Sequence, residues 1–169
     1  MNKDLDYLYH ALLLAMGQEY ERYQALFSSI QEETDILRKC SLDDIFSSNK
    51  RKETVLQSLS IALEIRMSAI NKIAEHLQID EPVSMTQLID SAQNHIRKNL
   101  MDYQEKFADL VTQINKANEK NKQLITFSLC QVNNTINYIN SLTSSSLNYS
   151  PSGQIKAGNL HGKLISQAG

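Results

Sequence analysis

The sequence predicts an all-α protein: an antiparallel bundle of three long helices, the third longest and either continuous or broken, followed by a flexible C-terminal tail. Two observations carry this. The chain holds five glycines and two prolines in 169 residues, where ordinary usage gives roughly 12% of the two together, and no glycine falls between Gly17 and Gly153. Hairpins and sandwiches need a positive-φ residue or a proline turn about every ten residues, so a β-rich fold is excluded. The apolar residues instead recur at steps of three and four, the period of an amphipathic helix. At this length a single domain is expected.

The first helix is predicted from about Leu5 to Leu37, with the stripe Leu5, Leu8, Leu12, Met16, Tyr20, Tyr23, Phe27, Ile30 and Leu37. Ser41-Leu42-Asp43-Asp44 then places a hydroxyl three residues before a carboxylate, a start signal for the second helix. That helix carries a heptad seam at 42, 45, 49, 52, 56, 59, 63, 66, 70, 73 and 77, whose polar members are Asn49, Lys52 and Arg66. Polar residues on such a seam fix register or reach water from their stems. Ile79-Asp80-Glu81-Pro82-Val83 interrupts the pattern, because proline lacks a donor and turns the preceding residue away from helix.

Ser84-Met85-Thr86-Gln87 reads as a capping box. The third helix follows with Leu88, Ala92, Ile96, Leu100, Tyr103, Phe107, Leu110, Ile114 and Ala117, and then, displaced by about one position, Leu124, Ile125, Leu129, Val132, Ile136, Ile139 and Leu142. From Thr143 the composition turns to Ser, Gly and Asn, with four of the five glycines. Residues 1–142 are therefore expected to form a helical bundle domain and 143–169 a mobile tail. Burying Tyr149, Ile155, Leu160, Leu164 and Ile165 would return about 10 kcal/mol. Ordering some twenty backbone residues costs about 20 kcal/mol or more, so the tail is expected to fold only on a partner.

Lengths carry the functional argument. The first two helices reach about 54 Å each, whereas a continuous third helix from Ser84 to Leu142 reaches about 85 Å. The surplus, residues 123–142, is rich in Leu124, Ile125, Phe127, Leu129, Val132, Ile136, Tyr138, Ile139 and Leu142. Exposed apolar surface of that extent marks a protein contact. Two alternatives bury it otherwise. The third helix breaks near Asn115–Asn121 or at Asn133-Asn134 and folds back as a fourth helix, or the surplus pairs in a homodimer.

Other chemistries are not indicated. Seventeen basic against nineteen acidic residues give a net charge of −2, so no basic field exists for nucleic acid. The longest apolar run, Ala11–Met16, is far short of the roughly 20 residues that span a bilayer. The N-terminus has no signal-peptide pattern, and a cytoplasmic, unprocessed protein is expected. His10, His76, His95 and His161 are scattered, without the spacing of helix-borne zinc or di-iron sites. Cys40 and Cys130 lack a Cys-x-x-Cys spacing and read as idle thiols. With no phosphate loop, nucleophile elbow or metal set, no catalytic residue, metal ligand or cofactor is expected, and the protein is read as a non-enzyme.

Lys52-Glu53 followed by Arg66, Asn118-x-x-Asn121-x-x-Leu124 leading into an apolar helix, and Asn148-Tyr149-Ser150-Pro151-Ser152-Gly153 form a set. In this set, and over most of its length, the chain resembles the FlgN family, flagellar export chaperones of the hook-associated proteins. It departs from the family in a hairpin rich in Ser, Asn and Gln instead of Leu and Glu, so the likeness rests on the C-terminal half. The resemblance implies a cytoplasmic chaperone that holds the C-terminal helical segments of the two hook-filament junction proteins, soluble and unpolymerised, until export apparatus components take them. It also implies binding roles for Tyr149 and Gly153. The partner-binding set expected from both arguments is Leu124, Phe127, Leu129, Val132, Ile136, Ile139, Leu142, Tyr149, Gly153, Ile155, Leu160 and Leu164. A self-associating coiled-coil structural or adaptor protein is the alternative.

Overall fold

The computed structural model describes residues 3–39, 41–79, 82–144, 148–149 and 155–156. Four helices account for nearly all of them: α1 (Lys3–Lys39), α2 (Leu42–Leu77), α3 (Met85–Ser91) and α4 (Asn94–Ser144). The chain divides into two bodies, residues 1–124 and 125–169.

The helix starts follow local chemistry. Asp4 and Asp6 lie in the first turn of α1 and Arg38 and Lys39 in its last, each at the end of the helix dipole it complements. Ser41 caps α2 by accepting from the Asp44 amide at 3.4 Å. Ser84 caps α3 in a reciprocal box, its hydroxyl accepting from the Gln87 amide (3.3 Å) while Gln87 Oε1 accepts from the Ser84 amide (2.8 Å). α2 closes with Gln78 in the left-handed region (φ 55°), where the Gln78 and Ile79 amides donate to the Glu75 and Ala74 carbonyls.

Three long helices with one interruption become four helices, because the interruption comes early. The alternative of a break near Asn115–Asn121 or Asn133-Asn134 is not observed; α4 runs through both. The chain breaks instead at Ala92-Gln93, where Ala92 adopts an extended conformation (ψ 152°). Neither proline nor glycine marks this position, and the reason is tertiary. Arg97 reaches back to the Ile89 and Asp90 carbonyls (3.0 and 2.8 Å), Tyr9 of α1 donates to the Leu88 carbonyl (2.9 Å), and Gln93 Nε2 donates to Asp6 Oδ1 (2.6 Å). The carbonyls orphaned by the break are satisfied from other parts of the fold.

The first body has two apolar clusters. One gathers Tyr9, Leu12 and Met16 of α1, Ile70 and Ile73 of α2, Leu88 of α3, and Ile96 and Leu100 of α4. The other gathers Leu26 and Ile30 of α1, Leu59 of α2, and Leu110 and Ile114 of α4. Tyr20, Tyr23, Tyr103 and Phe107 pack around them with ring centroids 5.6 to 6.5 Å apart, largely edge to face. α4 is thus covered in this body by side chains of both α1 and α2. Cross-helix ion pairs link Glu19 of α1 to Arg66 of α2, Glu32 to Arg51 and Glu33 to Lys52.

The expected α2 seam shifts at its start. Ser48 is buried, whereas Asn49 and Leu56 are exposed. In the second body, β1 (Asn148–Tyr149) and β2 (Ile155–Lys156) pair antiparallel, Tyr149 opposite Ile155. This pairing was not expected from the composition of the tail. The other residues of 145–169 lie outside those described, and the expectation of a mobile tail with them.

Candidate functional site

The approach to the site is a polar clasp. Asn121 of α4 is buried. Its Nδ2 donates to the Ile30 carbonyl (3.0 Å) and to Glu33 Oε2 (3.0 Å), and its Oδ1 accepts from the Thr34 hydroxyl (2.6 Å). Glu33 in turn accepts from Lys52 Nζ of α2 at 2.5 Å. The amide therefore ties α4 to α1, Glu33 carries the link on to Lys52 of α2, and both polar atoms of the Asn121 side chain are used. Asn118, its companion in the motif, is exposed.

Beyond the clasp the burial pattern changes. Leu124 is half-buried. Phe127 (64%), Leu129 (59%), Val132 (55%) and Tyr138 (64%) are exposed, and so are Ile125, Ile136, Ile139 and Leu142. Seven of the twelve expected binding residues therefore lie on one continuous helix, six of them exposed, in the second body. Tyr149 and Ile155 lie opposite each other in the strand pair. Gly153, Leu160 and Leu164 fall outside the described residues. Hydroxyls along the exposed stretch bond to their own helix, Thr135 to the Gln131 carbonyl (2.9 Å) and Ser141 to the Tyr138 carbonyl (2.7 Å). Cys130 is a free, exposed thiol, with Asn134 Nδ2 3.7 Å from its sulfur; Cys40 lies outside the described residues.

A second apolar strip escaped the sequence reading. Leu14, Ile61 and Ile65 are exposed on the first body, and Leu8, Ala11, Ile61 and Ile65 line a shallow groove between α1 and α2. The run Leu12-Leu13-Leu14 was the available signal, since three consecutive leucines cannot all face one seam. His10 and His95, read as scattered, come together with ring centroids 6.2 Å apart. Among the described residues, no group of three or more His, Cys, Asp and Glu side chains is placed to hold a metal ion. Among them also, no helix is long and apolar enough to cross a membrane.

The titratable groups that depart from their ordinary values are structural. Burial pushes the Glu19 carboxyl up, outweighing the attraction of Arg66 that pulls it down. Burial likewise raises the Tyr9 and Tyr23 phenols. None of these three lies in the exposed stretch of α4.

No curated protein and no solved structure matches the chain. The family described as FlgN protein matches residues 1–157, which takes in all four helices, the Asn121 clasp and the strand pair. By that match the chain belongs to the FlgN family.

Proposed function

We propose that the protein is a cytoplasmic export chaperone whose α4 residues 124–142, together with the tail, capture the C-terminal helical segments of flagellar hook-associated proteins and release them to the export apparatus. The observation that carries this is the exposure of Phe127, Leu129, Val132, Ile136 and Tyr138 on one continuous helix. Large apolar side chains gain about 1.5 to 3 kcal/mol each when covered, and a hook-associated client, as the family resemblance implies, has helices of its own that must be kept from polymerising. The division proposed is a helical domain over 1–142 and a tail over 143–169 that orders on contact, so that its entropy cost holds the affinity at a level from which the client is released. No nucleotide or metal enters this cycle. Within it the three long helices act as an antiparallel scaffold that presents the end of α4.

Calorimetry of the full chain with the C-terminal segment of a hook-filament junction protein tests the reading. Val132→Asp should weaken binding by at least about tenfold, because its carboxylate is buried unpaired only once the client covers it. Unchanged affinity would contradict the proposed surface.

A further inference from the structure

From Gln123 to Ile155 the sequence contains no Asp, Glu, Lys, Arg or His. The exposed stretch of α4 lies inside this run, so neither its apolar side nor its polar side carries charge. Thr126, Asn133, Asn137 and Asn140 make up the polar side with neutral donors and acceptors.

The apolar residues fall in two groups. At roughly 100° per residue, Ile125, Leu129, Val132 and Ile136 cluster within about 60°, while Phe127 and Tyr138 lie together about 160° round the helix, with Ser128, Gln131 and Thr135 between the two groups. A helix that packs on one neighbour needs a stripe of about 100°. Upstream, Leu110 and Ile114 lie at nearly the same helical phase as Val132 and share one buried cluster with Leu26 and Ile30 of α1 and Leu59 of α2. There, two helices share the cover.

We infer that residues 125–138 receive a pair of helical segments from the client, whose facing strips are uncharged, as α1 and α2 together cover α4 upstream. This rests on the chaperone reading and adds the chemistry of the partner. An ionised client side chain buried against this surface would meet no counter-charge on it, so segments with charged facing strips are rejected. One helix, from a client or from a second copy of this chain, covers a single stripe and leaves either Leu129 or the Phe127–Tyr138 flank in water.

The test is titration of the full chain with an intact, monomeric hook-filament junction protein, using one substitution on each flank. Leu129→Asn and Tyr138→Asn replace exposed side chains, and circular dichroism checks that helix content is kept. Each should weaken binding by at least about tenfold, and the native affinity should change by less than about twofold between roughly 50 and 500 mM NaCl. Loss on one flank only would overturn the two-segment partner, and a tenfold weakening by salt would overturn the uncharged face. A native chain that is dimeric at micromolar concentration, and becomes monomeric with Leu129→Asn, would assign the surface to a second copy and overturn the inference. Absence of binding at any salt concentration would remove the chaperone reading itself, and the inference with it.

Discussion

Glu19 shows how far single residues could be read from sequence and where that stopped. Lys52 and Arg66 stood out as polar members of an apolar seam, and each forms a cross-helix ion pair, with Glu33 and Glu19 respectively, at 2.5 Å. The acidic partners were not legible. Glu19 lies 47 positions from Arg66 and looks like any surface carboxylate on α1. Burial of Thr34 and Asn121 was hidden in the same way, since their hydroxyl and amide satisfy each other across 87 positions. The raised Glu19 carboxyl makes a prediction about pH. In the folded protein it holds its proton more tightly than in the unfolded chain, so its contribution to stability is present below its ordinary value of 4.5 and is lost as pH rises through the folded value. Glu19→Gln removes this dependence. Chemical denaturation across the acid range should find the variant gaining on the native protein as pH rises from about 4.5 towards neutrality; a variant that instead loses ground against the native protein over that range would show that Arg66 outweighs burial.

Among the elements, the periodicity of α1, α2 and α4 was legible because each presents a long stripe to a neighbour. The break between α3 and α4 was not. It depends on Arg97 and Tyr9 donating to backbone carbonyls, and on Gln93 donating to the Asp6 carboxylate, at a point that contains no proline or glycine. Residues 125–144 are rich in Ile, Thr, Val, Asn and Ser, all weaker helix formers than Ala, Leu, Glu or Lys, so their helicity owes little to intrinsic preference. Upstream, helix and core are one structure. Leu59, 6% exposed, packs between α1 and α4, and Leu59→Asp should cost about 4 kcal/mol or more. Ile136→Asp, at an exposed position, should change global stability by no more than about 0.5 kcal/mol. Thermal and urea denaturation compare them directly. A large loss from Ile136→Asp would place that residue in a core.

At the scale of the whole molecule, the chain divides into two bodies of different character. Residues 1–124 hold two buried apolar clusters and the Asn121 clasp. Residues 125–142 continue the same helix and leave their apolar residues exposed. The surplus length of the final helix was readable from the sequence because every turn signal except Pro82 was missing from the middle of the chain. The strand pair was not, since two residues per strand carry no period to detect. Hydrogen exchange on the full chain, free and bound to a hook-filament junction protein, reads the central claim most directly. Amides of residues 125–142 should exchange at least about tenfold faster than those of the Leu26–Leu59–Ile114 core in the free protein and become protected on binding, while the core stays unchanged. Protection of 125–142 equal to the core before any partner is added, or no change there on binding, would contradict it.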